Sequence, residues 1–208
     1  QALDGEASAL SRLRHEAARR LGASVAVELA GLRLEGARFE VRLVPRGELG
    51  PEGAEQAEMM FSANPGEPLA PLSRVASGGE LARVMLAVKT AGAEADEVPT
   101  MVFDEVDSGI GGETALQVGL RLRGLGRARQ VLVVTHLAQI ACFADRHLLV
   151  EKVAGPEGRN VVRVRELAAD ADRARELARM MSGTVTEKAL ARARELLTEA
   201  RSMSAAGA

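Results

Sequence analysis

Two short, continuously apolar segments constrain the fold of this chain most strongly. Residues 99–103 (PTMVF) and 130–135 (QVLVVT) each run directly into polar or charged residues. Helical patterns are predicted before and between them, at 77–93 and 111–123. Apolar strands that alternate with helices are typical of a largely parallel sheet flanked by helices, where functional side chains follow the carboxyl ends of the strands. The sequence therefore predicts an α/β fold with a site at that edge.

The N-terminal segment is predicted to be a separate amphipathic helix. Residues 6–22 place leucines at helical spacing, with arginine and glutamate between them, and the pattern stops at Gly22. Three heptads are too few to establish a coiled coil, but the segment fits the last turns of one. The chain is thus divided into a coiled-coil end at 1–22, a folded unit at 23–201 and a disordered tail of small residues at 202–208.

Weaker patterns predict the remaining elements. Residues 25–34 alternate imperfectly between apolar and polar side chains, whereas 37–44 alternate well enough to predict a strand. The other predictions are a flexible, solvated loop at 45–57, strands at 58–63, 146–152 and 160–166, and helices at 137–143, 170–181 and 186–201.

Composition excludes several classes of protein. The 208 residues carry 27 basic and 29 acidic side chains, which argues against binding nucleic acid by bulk charge, and without Trp or Tyr there are few base-stacking platforms. The single cysteine, Cys142, excludes a disulfide framework and a cysteine-rich zinc site, and it favours a reducing cytosol. No apolar run approaches the length of a membrane span.

The lysines exclude one common nucleotide-binding motif. A phosphate-binding loop of the form G-x-x-x-x-G-K-[ST] requires a glycine before its lysine. The sequence has three lysines, Lys89, Lys152 and Lys188, and none of them follows a glycine. The chain also begins with Gln1 rather than methionine, so we expect it to be a piece of a longer protein.

The first candidate site residues follow the strand at 99–103. Asp104 and Glu105 are adjacent carboxylates at its carboxyl end. One carboxylate there can hold Mg²⁺, and a second beside it can orient or deprotonate an attacking water. On this motif alone, a solvated strand-to-loop junction is an equally good interpretation. Asp107 adds charge at the same corner, and the pattern favours a loop or capping role for it.

A second candidate is the helix start Ser77-Gly78-Gly79-Glu80. Two glycines let backbone N–H groups approach an anion closely, and the helix dipole favours negative charge. Ser77 with Glu80 also forms the pattern of an ordinary capping box, which alone is the more common case. The two interpretations are compatible, because a capped helix is still an anion site.

His136 is the third candidate, because it follows the apolar strand at 130–135. At that end of a parallel strand, contact with a phosphate competes with a structural hydrogen-bonding role. The segment at 108–112 (SGIGG) is predicted to be a flexible loop and lacks a dinucleotide-binding spacing. A hydrolase triad of Ser77, His136 and Asp104 is disfavoured, because no G-x-S-x-G elbow exists.

The order and spacing of these motifs carry a resemblance. The series ASGGELAR, TMVFDEVDSGIGG and VLVVTHLAQIA, with about twenty residues between neighbours, resembles the C-terminal lobe of an ABC-type ATPase head. It is most similar to the SMC-like branch, and within it to bacterial proteins of DNA double-strand break repair and recombination. The likeness extends to FSANPGE, PLSRVASGGE and TEKALARARELL, so it covers nearly the whole chain.

The resemblance implies roles in a dimer that encloses two ATP molecules. The signature motif, which closes over the γ-phosphate of ATP bound to the opposite subunit, is matched by Ser77, Gly78, Gly79 and Glu80. The D-loop, which crosses the dimer interface, is matched by the segment that contains Ser108, Gly109 and Gly111. The resemblance therefore implies a homodimer through ATP-bound heads.

The resemblance also implies the catalytic residues. Asp104 matches the Walker B aspartate associated with Mg²⁺, Glu105 matches the catalytic glutamate that positions water, and His136 matches the switch histidine that senses the γ-phosphate. The cofactors implied are ATP and Mg²⁺, the polymer partner is DNA, and the location is the cytoplasm, in association with the nucleoid.

This sequence departs from the family in having no Walker A loop and no recognisable Q-loop. In the family these lie in an N-terminal head lobe, which a long coiled coil separates from this one. The helix at 6–22 is then the end of the returning arm. We expect a partner lobe to be required, and the chain alone to bind ATP poorly and hydrolyse little.

A non-catalytic docking module for DNA or a protein is the alternative. Arg121, Arg123, Arg127 and Arg129 lie in a segment without acids, between Glu113 and Asp145. Such a patch can contact phosphates, but a solvated helix end and turn is the simpler interpretation. A nucleotide-binding subunit of a transporter is disfavoured by the coiled-coil-like start and by the DSGIGG segment.

Overall fold

A computed structural model describes residues 2–74, 78–155 and 159–206, and places fourteen short elements along them. The helices are α1 Ala2–Ala30, α2 Gly78–Ala91, α3 Gly112–Leu125, α4 Ala138–Ala141, α5 Asp170–Ser182 and α6 Glu187–Ala206, with a 3-10 turn at Leu72–Arg74. The strands are β1 Arg38–Gly50, β2 Gly53–Ser62, β3 Ala70–Pro71, β4 Thr100–Phe103, β5 Gln130–Val133, β6 Leu148–Ala154 and β7 Asn160–Glu166.

The predicted α/β class is confirmed, and the strands are arranged in three sheets. β4 and β5 pair in parallel, with Phe103 opposite Val133. The other described pairs, β1–β2, β2–β3 and β6–β7, are antiparallel. The parallel part is therefore smaller than the apolar strands predict, and it consists of the two strands that precede the candidate site.

The N-terminal helix is present but does not end at Gly22. It continues to Ala30 because Val25 and Leu29 follow at helical spacing and are buried in the main core, where α1 packs against β1 and α2. Glycine inside a helix costs about 1 kcal/mol relative to alanine, whereas each buried side chain contributes about 1.5–3 kcal/mol. The imperfect alternation at 25–34 is thus the end of this helix.

The predicted flexible loop at 45–57 is instead the end of a long hairpin. β1 and β2 stay paired to Gly50 opposite Gly53, although the register shifts after Pro45. The turn lies against α1, where the Arg14 guanidinium donates to the Glu55 carbonyl over 3.3 Å. The three glycines and two prolines that predict a loop are accommodated because a solvated edge strand and its turn tolerate them.

Two hydrophobic clusters form the core. The main cluster joins α1, α2 and α3 with β1, β4 and β5, and the second joins α4, α5 and α6. The prediction of disorder at 202–208 is wrong as far as Ala206: α6 continues through this segment, Met203 packs on the second cluster, and Arg127 donates to the Ser204 carbonyl over 2.7 Å. Residues 207 and 208 lie outside the described part. No described helix is long and apolar enough to cross a membrane.

Candidate active site

The parallel pair β4–β5 brings the two predicted halves of the site to one edge. The strands run in register from Thr100 opposite Gln130 to Phe103 opposite Val133. The pairing extends one step further, because the Val134 amide donates to the Phe103 carbonyl over 3.0 Å. The segments that follow, at 104–107 and 135–137, therefore lie side by side, as the sequence predicts for the ends of parallel strands.

Asp104 and Glu105 are both exposed at this edge. The backbone amide of Glu105 donates to Asp104 Oδ1 over 2.9 Å. Glu105 has a φ of 58°, in the left-handed region that few residues other than glycine adopt. Such a conformation costs about 1–3 kcal/mol and is concentrated at functional sites, where the surrounding structure holds it. The turn thus presents two adjacent carboxylates to solvent.

Asp107 is the residue that joins the two strand ends, and the sequence does not predict this role. Its carboxylate is buried, with 5% of the residue exposed. Oδ2 accepts from Thr135 Oγ1 over 2.5 Å and from the His136 amide over 3.0 Å, and it lies 3.0 Å from His136 Nδ1. The signal available in the sequence is its place in DEVD, three residues past the first carboxylate.

The start of α2 packs directly on the loop that follows β4. A Cβ added at Gly79 would lie 2.7 Å from the Ser108 Cβ and 2.9 Å from the Ser108 carbonyl oxygen. A Cβ added at Gly78 would lie 2.5 Å from Glu105 Oε2. Gly79 thus permits the close approach of the helix to the loop, whereas the atom near Gly78 is the end of a flexible side chain that can move. Ser77 lies outside the described residues, so its predicted capping contact with Glu80 does too.

Arg83 stabilises this contact between α2 and the loop, and the sequence does not predict this role. The residue is only 7% exposed, and its Nη1 donates to the Ser108 carbonyl over 2.7 Å. Burial lowers the pKa of the guanidinium from its usual value, and the nearby carboxylate of Glu80 partly offsets this. The available signal is its spacing: Arg83 follows Gly79 by four residues and therefore shares its helix face.

The glycine-rich loop at 108–112 gives way to α3. Ser108 and Gly109 are exposed, and the Ser108 amide donates to the Glu105 carbonyl over 3.0 Å. Gly109 has a φ of 73°, whereas Gly111 is extended and precedes the helix. The turn is thus ordered by its own backbone and by Arg83, while its tip faces solvent.

The four arginines of the predicted basic patch each contact their own chain. Arg121 Nε donates to Glu28 of α1 over 2.7 Å, and Arg123 pairs with Asp145. Arg127 donates to the Ser204 carbonyl of α6, and Arg129 Nη2 donates to the carbonyls of Ala93 and Asp96 over 2.8 Å each. These contacts tie α3 and the following turn to four other parts of the fold.

The surroundings of Asp104 suit a hard cation that is held by few protein ligands, and not one enclosed by several. Within the described ranges, no group of three or more His, Cys, Asp or Glu side chains is placed to hold a metal ion. Mg²⁺ is commonly held by one or two carboxylates together with water and substrate phosphates. An exposed carboxylate at a strand end meets that requirement, and Glu105 is the second carboxylate beside it.

Comparison with known proteins identifies close sequence relatives. The chain is 47% identical over 213 residues to the DNA repair protein RecN of Streptomyces coelicolor, covering 96% of the chain and 37% of that protein. It is 50% identical over 190 residues to RecN of Deinococcus radiodurans, covering 91% and 33%, and 43% identical over 196 residues to RecN of Treponema pallidum, covering 91% and 34%. The chain thus spans about a third of the length of these relatives. A scan against protein-family models finds no match.

Solved structures show the same fold. The Smc head domain of Pyrococcus yayanosii, solved with a coiled coil and joint, superposes with a TM-score of 0.53 at 21% identity, over 88% of this chain and 29% of that one. The Smc head domain of Pyrococcus furiosus, solved with an extended coiled coil and bound to the C-terminal domain of ScpA, gives 0.51 at 20% identity, over 72% and 35%. The chain therefore has the fold of Smc head domains and belongs to the RecN family of bacterial DNA repair proteins.

Proposed function

We propose that this chain supplies half of each active site in a DNA repair ATPase of the SMC type. The observation that carries the proposal is the junction of the strand ends, where Asp107 joins the turn that bears Asp104 and Glu105 to the segment that bears His136. These are side chains that phosphoryl transfer requires at one place: a carboxylate for a cation, one for water and a group for the terminal phosphate.

The proposed reaction is hydrolysis of the terminal phosphate of ATP. Mg²⁺ bound at Asp104 would neutralise charge on the phosphates. Glu105 orients the attacking water and accepts its proton, and His136 donates a hydrogen bond to an oxygen of the γ-phosphate. Fixed donors and charges at the phosphate contribute more here than covalent chemistry, because phosphoryl transfer spreads negative charge over the phosphate oxygens.

The signature segment is proposed to act on the nucleotide held by the other subunit. The start of α2, with Ser77, Gly78, Gly79 and Glu80, would offer backbone N–H groups and a helix dipole to that γ-phosphate. The exposed tip at Ser108 and Gly109 lies beside it and would meet its equivalent across the dimer. This arrangement makes each active site dependent on two heads.

A partner lobe is proposed to cover the exposed side of β4 and β5. Val102 on β4 is 67% exposed, and Val134, directly after β5, is 61% exposed. Within the described residues, β4 has a strand neighbour on one edge only. Apolar side chains and an open strand edge next to a catalytic turn need a cover. The lobe that carries the missing phosphate-binding loop fits this place.

We also propose that α1 is the end of a coiled-coil arm and that the complete protein acts on DNA. Leu3 and Leu13 are exposed on α1, as expected of a helix that pairs with a second arm. The relatives are DNA repair proteins, and we propose that the complete protein acts on DNA in the cytoplasm. The four arginines at 121–129 contact their own chain, so we do not propose them as a docking surface for DNA or a protein.

Reconstitution tests the proposal. The chain would be mixed with the N-terminal lobe of its own longer protein, and ATP hydrolysis would be measured with and without Mg²⁺ and DNA. We expect a stoichiometric complex with Mg²⁺-dependent hydrolysis, almost no turnover by either part alone, and loss of turnover in Glu105→Gln without loss of ATP binding. Turnover by the chain alone that Glu105→Gln abolishes would contradict the need for a second lobe.

A further inference from the structure

The carboxylate of Asp107 is buried where two strands end, and its partners all come from one side. They are the hydroxyl of Thr135, the amide of His136 and the ring nitrogen Nδ1 of His136, at 2.5, 3.0 and 3.0 Å from the same oxygen, Oδ2. A buried carboxylate is stable only when hydrogen bonds replace the water it has lost. Asp107 meets this requirement through the residues that bear the candidate phosphate sensor.

The network continues from Asp107 towards α4. Thr135 Oγ1 donates to Asp107 and accepts from the Leu137 amide over 3.0 Å. These two bonds, with the one from the His136 amide, are sufficient to fix the backbone of the turn. The contact with Nδ1 is additional, because it acts on the imidazole ring and not on the chain.

Packing alone does not fix the ring of His136. Its side chain is 78% exposed, and apart from Asp107 no described residue contacts its ring nitrogens. The proton of a neutral imidazole resides on the nitrogen that has an acceptor, so a carboxylate at Nδ1 draws the proton there. The other nitrogen, Nε2, is then left for an incoming ligand.

We propose that Asp107 is a positioning residue that sets both the orientation and the tautomer of His136. It holds one proton on Nδ1 and turns Nε2 outwards. The exposed ring can take a second proton from solvent at Nε2, and this N–H can then donate a hydrogen bond to a phosphate oxygen. The contact with phosphate rests on the proposed function, whereas the state of the ring rests on the geometry of Asp107 alone. Partners that orient a metal-bound histidine through its second nitrogen typically contribute about 10- to 100-fold in affinity or activity, and we expect an effect of similar size here.

The state of the ring can be measured in the chain by itself. Nitrogen-15 NMR at high pH distinguishes a proton on Nδ1 from one on Nε2 through long-range couplings. The three histidine signals can be assigned with His15→Gln and His147→Gln. We expect His136 to carry its proton mainly on Nδ1, and Asp107→Ala to return it to Nε2, the tautomer preferred by free histidine. Thr135→Val is the matched control, because it removes a donor from the same carboxylate and leaves Nδ1 its acceptor.

The second arm measures turnover in the protein assembled with its N-terminal lobe. Asp107→Ala is expected to lower kcat about 10- to 100-fold and to change the KM for ATP less than about threefold. Asp107→Asn keeps the shape of the side chain and an acceptor, so it is expected to retain more activity and serves if the alanine variant does not fold.

The two arms separate the possible failures. An Nε2 proton in the wild-type chain, or an unchanged tautomer in folded Asp107→Ala, would overturn the positioning role. A shifted tautomer with unchanged kcat would overturn its catalytic part. If the wild-type assembly does not hydrolyse ATP, the proposed function fails together with that catalytic part, while the NMR result still decides whether Asp107 sets the ring.

Discussion

Gly79 shows at the scale of one residue how close α2 comes to the loop after β4. A side chain at this position would start 2.7 Å from the Ser108 Cβ and 2.9 Å from its carbonyl oxygen, inside the contact distance of real Cβ atoms. The neighbour is partly backbone, so it cannot rotate away. The sequence predicts Gly78 and Gly79 as part of an anion site, and the structure gives a second reason for glycine at Gly79.

Gly79→Ala is therefore expected to destabilise the fold by about 1–3 kcal/mol, the usual cost of overpacking, and to reduce turnover of the assembled protein. Gly124→Ala is the matched control in α3, because no atom lies within 4 Å of the added Cβ. We expect it to stabilise the chain by about 0.5–1 kcal/mol through helix propensity. Urea denaturation checks both, and equal effects of the two substitutions would contradict the packing described.

His147 makes a second prediction at this scale. Burial lowers its pKa below the ordinary value, the positive charge of Arg173 lowers it further, and Glu176 opposes both. The folded state therefore favours the neutral ring. Its contribution to stability is complete above the unfolded pKa of about 6.5, and it is lost as the pH falls from that value through the lowered pKa of the folded state. The free energy of unfolding, measured with urea from pH 7.5 to 5.5, should fall more steeply for the wild type than for His147→Gln. The two slopes should differ by less than about 1.4 kcal/mol per pH unit. Parallel curves would contradict this.

The sequence predicts Asp104, Glu105 and His136 as site residues because each directly follows an apolar strand, and the structure places them at one edge. It does not predict the roles of Asp107 and Arg83. A buried carboxylate in a turn and a buried arginine in a helix look, in one sequence, like ordinary surface charges. Their partners are 28 and 25 residues away in the chain, and only the fold brings them together.

At the scale of elements, Arg83 connects α2 to the loop after β4. Its guanidinium is buried, and Nε has no hydrogen-bond partner among the described residues, so the desolvation cost offsets much of the bond to Ser108. Arg83→Met is thus expected to change the unfolding free energy by less than about 1 kcal/mol while lowering kcat in the assembled protein, because the loop loses its tether. A large loss of stability with normal kcat would show that Arg83 is only structural.

The end of α6 gives a second prediction for an element. Met203 packs on the second hydrophobic cluster, and the Ser204 carbonyl accepts from Arg127. Ending the chain after Arg201 should therefore cost about 1–2 kcal/mol, from lost apolar burial and one hydrogen bond. Met203→Ala should reproduce much of this loss and Met203→Leu little of it, as thermal or urea unfolding would show. A neutral truncation would favour the disordered tail that the sequence predicts.

The elements that the sequence misplaces share one cause. The sequence contains local stop signals at Gly22 and at the prolines and glycines of 45–57, and packing outweighs them. The helix α1 continues and buries Val25 and Leu29, and the hairpin continues along α1. Local propensities of about 1 kcal/mol per residue are small beside the burial of several large side chains. The strands and helices from 99 to 201 lack such conflicts and are predicted well.

At the scale of the whole molecule, the described residues leave one side of the proposed active-site edge without cover. The exposed Val102 and Val134 and the open edge of β4 favour the view of the chain as one lobe, in agreement with its span of about a third of its relatives. The sequence predicts a largely parallel sheet, whereas β4 and β5 form the only parallel pair within the described residues, because pairing across sheets depends on contacts that one sequence does not display.

The most direct test of the account asks whether each active site is shared between two heads. Two versions of the complete protein would be prepared, one with Ser77→Arg in the signature motif and one with Glu105→Gln, each inactive alone. In a shared arrangement, a mixed dimer contains one site in which both contributions are wild type. An equimolar mixture with random pairing should then recover about a quarter of the wild-type rate of ATP hydrolysis, because half of the dimers carry one intact site of two. No recovery from a mixture shown to form mixed dimers would contradict the account.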